Sequence, residues 1–486
     1  MKLSNLINEE KDIEIIQFYD TDIKGIAEDS RHIKPGYLFF AVKGFQRDGH
    51  DFIEDAIKKG AVAVIGSDAE RLKKFKNRKI SLIKTRNIRK TLGNIAHTFH
   101  GKPSEKLKLI GITGTNGKTT TSFIIYQALK NLGKKVGLIG SVYYITPLSC
   151  EKADRTTPPP IKLNQLLKRM VNEGAEYAVM EVSSHSISLH RIEGIKFNAG
   201  IFTNLSPEHL DFHKNIHSYF LAKYKFTDFI KKEGIFATNS DDFFGRIIAG
   251  LKAIHQFKMV SYGYSGDIKI EKYIHKNGFS EIELSLPFKN LKLKTNLKGK
   301  FNVYNIAAAV SILNYLDIDI ERMKHVFKDI SVPGRLEEIA PGIFIDYAHT
   351  PDALEKVLKT LKELYPQKHL TVVFGCGGNR DKSKRPVMGA IACKYADRVI
   401  ITDDNPRFEN PDKIVEEILS GCNMEKAEVI RDREKAIKTA IKHRKGIVII
   451  AGKGPDEYQE INGVKQFFSD KKTVLEALND NNKTVG

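Results

Sequence analysis

The chain alternates between two textures. Short apolar runs rich in Val, Ile and Phe are bounded by Gly, Asp, Asn or Pro, and between them apolar residues recur every three or four positions. In the first hundred residues YLFFAV (37–42) and AVAVIG (61–66) read as strands, with the helical pattern FIEDAIKKG between them. Gly101, Lys102 and Pro103 mark a linker. A second stretch opens on the strand KLIGITG (108–114), which runs into a predicted helix from Lys118 to Leu132. Strands follow at KVGLIGSV (135–142), YAVMEVSS (177–184) and AGIFTNL (199–205), and the stretch ends at Val332-Pro333-Gly334. From Gly342 the alternation is regular. GIFIDYA, LTVVFGCGG, RVIITDD, EVIRD and GIVIIAG read as strands, with helices predicted over 352–365, 385–395, 413–419 and 433–442. Strand alternating with helix implies parallel βαβ units covered on both faces. The expected fold is therefore α/β in three domains, 1–102, 103–333 and 334–486. The central one carries a mostly parallel sheet and the last is Rossmann-like, with ligands at the carboxyl ends of its strands.

Composition narrows the classes. Hydrophobic residues make up 41% and charged residues 28% of 486, which excludes disordered, collagen-like and disulfide-scaffold proteins. Cys150, Cys376, Cys393 and Cys422 show no paired metal-ligand spacing, so free thiols in a reducing compartment are expected. The opening MKLSNLINEE has no apolar core of a signal peptide, and no apolar run approaches the roughly 18–20 residues of a membrane span. A cytoplasmic protein without membrane contact is expected. The 78 Lys and Arg outnumber 59 Asp and Glu, a net charge of +19. That suits nucleic acid or small polyanions. The basic residues are scattered as single lysines, so a solvated surface accounts for them, and no basic stripe interleaved with aromatics is present.

GITGTNGKTTT (111–121) is the strongest local signal. Glycines let backbone N–H groups close around phosphate oxygens, and the following helix points its positive end at them. Gly114, Thr115, Asn116, Gly117, Lys118, Thr119 and Thr120 would cradle a nucleoside triphosphate, with Lys118 on the β- and γ-phosphates and Thr119 on Mg²⁺. The strict P-loop spacing would put glycine at 112, where Ile112 stands.

This variant loop is where the chain comes to resemble the Mur ligase family, the ATP-dependent amide ligases that extend the peptide of peptidoglycan precursors. MEVSSH (180–185), TNLSPEHLDFH (203–213), YFLAKYKF (219–226), GKFNVYN (299–305) and VPGRLE (332–337) follow in the family's order. DYAHTPDAL (346–354), FGCGGNRDKSKRP (374–386), DDNPR (403–407) and GKGPDEYQ (452–459) complete the series. Within the family the match is to the tripeptide-synthetase type. The resemblance implies that a carboxylate is activated as an acyl phosphate by ATP and then captured by an amine. It makes Lys118, Glu181, His209 and Lys223 catalytic, with Thr119, Glu181, His209 and Lys223 holding two Mg²⁺ ions and Lys223 carbamylated. It gives ATP to Asn302, Asn305, Arg335 and Asp346 together with His349; Asp346, at a strand's carboxyl end, suits a ribose or Mg²⁺-water contact.

For the nucleotide-sugar dipeptide the resemblance points to Ser30, Gln46 and Arg47 in the first domain, and to Thr156, Thr157, Ser183 and Arg191 in the second. Leu189 departs from members that carry Gln there. The added amino acid falls to Arg380, Asp404, Asn405, Pro406, Arg407, Gly452 and Asp456. Asp404-Asn405-Pro406-Arg407 goes with meso-diaminopimelate in the family, because a guanidinium binds a second carboxylate that lysine lacks. Asp456 and Pro455 replace the usual Glu and His; Asp is one methylene shorter, which leaves Glu457 as a substitute for it and L-lysine as an alternative substrate. The expected partners are thus ATP, UDP-N-acetylmuramoyl dipeptide and diaminopimelate, with no nucleic acid, bound by a monomer. A nucleic-acid-stimulated ATPase and a sister ligase such as folylpolyglutamate synthetase are the competing readings.

Overall fold

The structure is a computed structural model that describes residues 1–483 apart from 277 and 317. The last three positions of the third expected domain, 484–486, lie outside the described residues.

The predicted strands of the first domain lie in the middle of a five-stranded sheet, ordered 13–17, 81–85, 61–66, 37–41, 25–27. All pairs are parallel except 13–17 with 81–85. Strand Ile13–Gln17 has no fully buried residue, which is why its pattern gave no signal.

The central sheet has eleven strands. Lys108–Thr113, which feeds the phosphate loop, lies between Phe197–Phe202 and Tyr177–Glu181, parallel to both. Five of its six residues are buried, as expected of a strand covered on both faces. Helices Lys118–Asn131 and Lys300–Tyr315 contribute to the core on one face, and Pro160–Asn172 and Ile216–Tyr224 to the core on the other. One arm of the sheet was not foreseen: strands Ile268–Lys276, Phe279–Leu286 and Lys289–Thr295 form an antiparallel meander. The last two alternate buried and exposed positions, one face on the core and one in water.

The third sheet runs 337–340, 343–346, 447–451, 370–374, 398–401, 427–429, parallel except for its first pair. Helices 351–364, 384–395 and 411–419 cover one face, and 433–442 and 470–483 the other. Asp346, Gly452, Gly375 and Asp404 therefore cluster at the carboxyl ends of its strands, where such sheets bind ligands. A hairpin, Tyr458–Ile461 with Val464–Phe467, hangs beside that edge and bridges to Arg407.

The last helix is tied down by Arg433 and Asp470, both 0% exposed, through two 2.8 Å hydrogen bonds. Removing one partner leaves a buried charge uncompensated. Asp470→Asn is expected to destabilise the protein by about 3–5 kcal/mol. Chemical denaturation monitored by circular dichroism would check this.

Candidate active site

The middle and last domains enclose one cavity of about 1150 Å³, walled by the phosphate loop on one side and by the 404–407 turn on the other. Two glycines shape the loop. Gly114 (φ 143°) and Gly117 (φ 88°) hold backbone that other residues adopt only with strain, and a Cβ would collide with Thr203 Oγ1 at the first and Asn305 Oδ1 at the second. The loop is braced from the neighbouring strand end: Asn204 Oδ1 accepts from Asn116 N at 3.0 Å, and Thr203 Oγ1 donates to Asn116 O at 2.6 Å.

Lys118 Nζ donates to the loop carbonyls of Gly114 and Thr115, at 2.9 and 2.8 Å. Burial depresses its proton affinity, while Glu208 and Glu181 pull the other way. Glu181 is fully buried; Oε1 accepts from Ser141 N (2.9 Å), and Oε2 from Ser141 Oγ (3.0 Å) and Thr119 Oγ1 (3.1 Å). Thr119 Oγ1 also accepts from Arg335 Nη2 at 3.2 Å, so a donor of the last domain reaches the first turn of the loop helix. Arg335 is stacked on the Tyr347 ring at 4.5 Å.

Lys223 lies behind the loop, not in the cavity wall. It is 2% exposed, and its Nζ donates to Gly114 O at 2.7 Å. Burial first, and then the neighbouring Lys118, hold its pKa well below the ordinary value, and among the described residues it forms no ion pair. His209 lines the cavity in left-handed backbone (φ 56°), strain of the kind that functional positions store. Its ring packs edge-on against His185, centroids 4.7 Å apart.

Three expectations shift. Asn302 does not line the cavity; its Oδ1 accepts from Asn305 Nδ2 at 2.9 Å, so it positions Asn305, which does. Asp346 spends both oxygens on backbone, accepting from Leu336 N (2.6 Å) and Ala348 N (2.7 Å), which pins the turn that aims Arg335. Glu457, the alternative to Asp456, pairs with Lys152 at 2.8 Å, outside the cavity that Asp456 lines.

Thr156 lines the cavity and its Oγ1 is 3.0 Å from Ser141 Oγ. Thr157 and Arg191 stand behind it: Thr157 Oγ1 donates to Glu181 O (2.8 Å), and Arg191 Nη1 to Thr157 O (2.8 Å). Ser183 caps the helix that follows Glu181 by accepting from Ser186 N at 3.1 Å. Ser30, Gln46 and Arg47 sit in the first domain away from this cavity, Gln46 and Arg47 fully exposed and Ser30 buried.

On the opposite wall Arg380 is exposed into the cavity. Arg407, also left-handed (φ 54°), donates through Nη1 to Gly378 O at 2.7 Å and faces Glu460 at 3.4 Å. Asp404 is buried beside Gly452; burial would raise its pKa, but Lys453, Arg433 and other cations hold it below the usual range. Asp456 goes the other way, raised by burial. Pro406 contributes only its turn, its carbonyl accepting from Glu409 N at 3.0 Å.

Sequence reasoning missed Glu208. It lines the cavity, with His349 Nε2 at 3.7 Å and His209 Nε2 at 3.8 Å. Burial would raise its pKa, yet the neighbouring His349, His209 and Lys118 hold it well below the ordinary range. The only signal was its place beside His209 in SPEHLD; His349 comes from another domain.

A nucleotide loop, a buried carboxylate beside it, and an amino-acid-sized wall of opposite charges describe a ligase that couples nucleotide cleavage to bond formation between small molecules. Residues 22–100 match the model of the Mur ligase family catalytic domain, 112–313 the Mur ligase middle domain, and 334–454 the Mur ligase glutamate ligase domain. The chain belongs to the Mur ligase family. The UDP-N-acetylmuramoyl-L-alanyl-D-glutamate--2,6-diaminopimelate ligase of Aquifex aeolicus is 44% identical over 94% of each chain, and that of Phocaeicola vulgatus 41% over 98% of this chain and 99% of its own. A solved structure of a ligase of that name superposes with a TM-score of 0.70 at 29% identity, covering 99% of both chains. The MurF ligase of Thermotoga maritima in complex with ADP shares the fold, at TM-score 0.64 and 21% identity over 96% of this chain and 99% of its own.

Proposed function

We propose that the protein is an ATP-dependent ligase that joins meso-diaminopimelate to the D-glutamate γ-carboxylate of UDP-N-acetylmuramoyl-L-alanyl-D-glutamate. The observation that carries this reading is the shared cavity, in which the phosphate loop and the Asn405–Arg407 wall face one space. The names of relatives 38–44% identical support the choice of amino acid. ATP binds against residues 114–120, and Lys118 leaves its loop carbonyls for the phosphates. The γ-carboxylate attacks the γ-phosphoryl group, ADP leaves, and the amine displaces phosphate from the acyl phosphate. Charge on the transferring group is met by Lys118, once it has left the loop carbonyls, and by Arg335, which stands on Thr119 at the first turn of the loop helix.

The residues present fit Mg²⁺. Thr119 and Glu181 offer hard oxygen donors next to the loop, the donor type that Mg²⁺ takes together with phosphate oxygens. Thr119 would hold the nucleotide's ion, and Glu181 with His209 a second, to which a carbamylated Lys223 would add an anionic ligand; bound there, the ions would neutralise phosphate charge. The buried amine, without an ion-pair partner among the described residues, supports carbamylation: neutral Nζ attacks carbon dioxide, a C–N bond forms as one C=O π bond opens onto oxygen, one proton leaves the nitrogen, and an anion replaces the neutral amine.

The uridine diphosphate end is assigned to Ser30, Gln46 and Arg47 within a first domain ending near residue 102, and the peptide to Thr156, Thr157, Ser183 and Arg191. Domains then divide near 103 and 334. Residues of one chain line the cavity on both sides, which supports a monomer, and ATP use with four free thiols supports a cytoplasmic setting. Among the described residues no helix is long and apolar enough to cross a membrane.

Phosphate release with the UDP-dipeptide is expected to be strong with meso-diaminopimelate and almost absent with L-lysine. Comparable turnover with lysine would overturn the amino-acid assignment. Turnover of folate with glutamate would move the protein to the sister ligases. Glu208→Gln removes a buried carboxylate that faces Lys118, His209 and His349 together; kcat is expected to fall about 30–100-fold, read by the same assay.

A further inference from the structure

Asn405 Oδ1 accepts two hydrogen bonds at 2.9 Å, from Lys453 Nζ and from Glu460 N. Both donors can only donate, so the orientation of this amide is forced: its oxygen points inward and its NH₂ outward. Asn405 borders the cavity, and no acceptor among the described residues takes its Nδ2. Lys453 is 1% exposed, stands outside the cavity wall, and is held by a second bond to Tyr458 O at 2.7 Å, with Asp404 at 3.9 Å. A buried lysine is costly to keep, and the phosphate chemistry does not use this one.

We propose that Lys453 is a positioning residue that locks Asn405 as a hydrogen-bond donor toward the second carboxylate of the amino-acid substrate, and thereby sets the preference for a dicarboxylic over a monocarboxylic diamine. This deepens the proposed function and rests on it. With the amide locked, Asn405 Nδ2 and Arg407 present donors only, while Asp404 and Asp456 present carboxylates nearby; that arrangement matches the paired carboxylate and ammonium of an α-amino-acid centre. L-Lysine offers an ammonium but no carboxylate to those donors, so they would lose water without gaining a partner. Without Lys453 the Asn405 oxygen keeps only the Glu460 N bond, so the amide is held more weakly and can turn to present its oxygen, which repels a carboxylate.

The test is a double-mutant cycle on the full chain with Lys453→Met, Asn405→Ala and both, reading KM for meso-diaminopimelate, KM for ATP, and the diaminopimelate-to-lysine ratio of kcat/KM. Lys453→Met is expected to raise the diaminopimelate KM at least ~10-fold and to narrow the ratio similarly, with the ATP KM within ~2-fold. In the Asn405→Ala background the same change should add less than ~3-fold. Equal costs in both backgrounds, or parallel losses for ATP and amino acid, would overturn the inference while leaving the ligase reading intact. Wild-type turnover of lysine and none of diaminopimelate would overturn both. Should Lys453→Met not fold, Asn405→Asp keeps two acceptors for Lys453 and Glu460 N but offers no donor; an unchanged diaminopimelate KM there would equally overturn the inference.

Discussion

Lys223→Ala is expected to lower ATP-dependent phosphate release by about a thousandfold or more, with partial recovery on adding a short carboxylic acid such as acetate. The size follows from the lysine's place. Its Nζ touches Gly114 O, on the same carbonyl as Lys118, so whatever charge it carries is felt by the phosphoryl group being transferred. As an ammonium it would be a second buried cation beside Lys118 with no carboxylate paired to it, an arrangement that burial disfavours strongly. As a carbamate it becomes an anion that a metal ion can neutralise. An added acid can occupy the space and replace the anion in the variant, whereas a purely structural lysine would not be replaced by one. Lower wild-type activity in buffer stripped of carbon dioxide, restored by bicarbonate, would be the matching result. Insensitivity to both additions would remove the carbamate from the mechanism.

Arg407→Met is expected to reduce kcat/KM for meso-diaminopimelate about 100–1000-fold while changing the slow turnover of L-lysine only a few-fold. The guanidinium is anchored at one end by Gly378 O and faced by Glu460, which leaves its remaining donors to the cavity. A carboxylate held there makes charge-assisted bonds in a site with little water, and truncation leaves that carboxylate unpaired. Arg407→Lys should recover little, because a single ammonium cannot reproduce the planar fork. Phosphate release with each amino acid measures both numbers. Equal losses for the two substrates would mean that Arg407 serves the turn, through its left-handed backbone and its bridge to the 458–461 strand, and not recognition.

Much of this site was written locally. The phosphate loop, Lys118 and Thr119 could be read within about ten residues, because a loop that wraps phosphate needs glycines at fixed offsets from a strand and a helix, whereas the Asp404–Arg407 turn gained its meaning only from the resemblance along the whole chain. The βα alternation of the last domain was legible for the same reason: strands buried on both faces are continuous apolar runs. The edge strand 13–17 and the meander 268–295 were not, since half-exposed strands carry a weak alternating pattern that lysine-rich composition obscures.

Contacts across domains lay beyond any reading of the chain. Glu208 meets His349 across 141 positions, Arg335 reaches Thr119 across 216, and Lys453 turns the amide of Asn405 across 48. None of these pairs shares a local pattern: the first two are made by separate domains folded onto one cavity, and the third by the ends of two strands of one sheet that are distant in the chain. The sequence by itself determined the class of chemistry, through the loop, and the charge of the amino-acid wall, through its arginines. Only the tertiary structure decided which way that wall's amide points, that Asp346 pins a turn, that Asn302 stands behind Asn305, and that Lys223 is buried with no ion pair among the described residues. Orientation and desolvation are properties of surroundings, and surroundings are assembled from residues far apart in the chain.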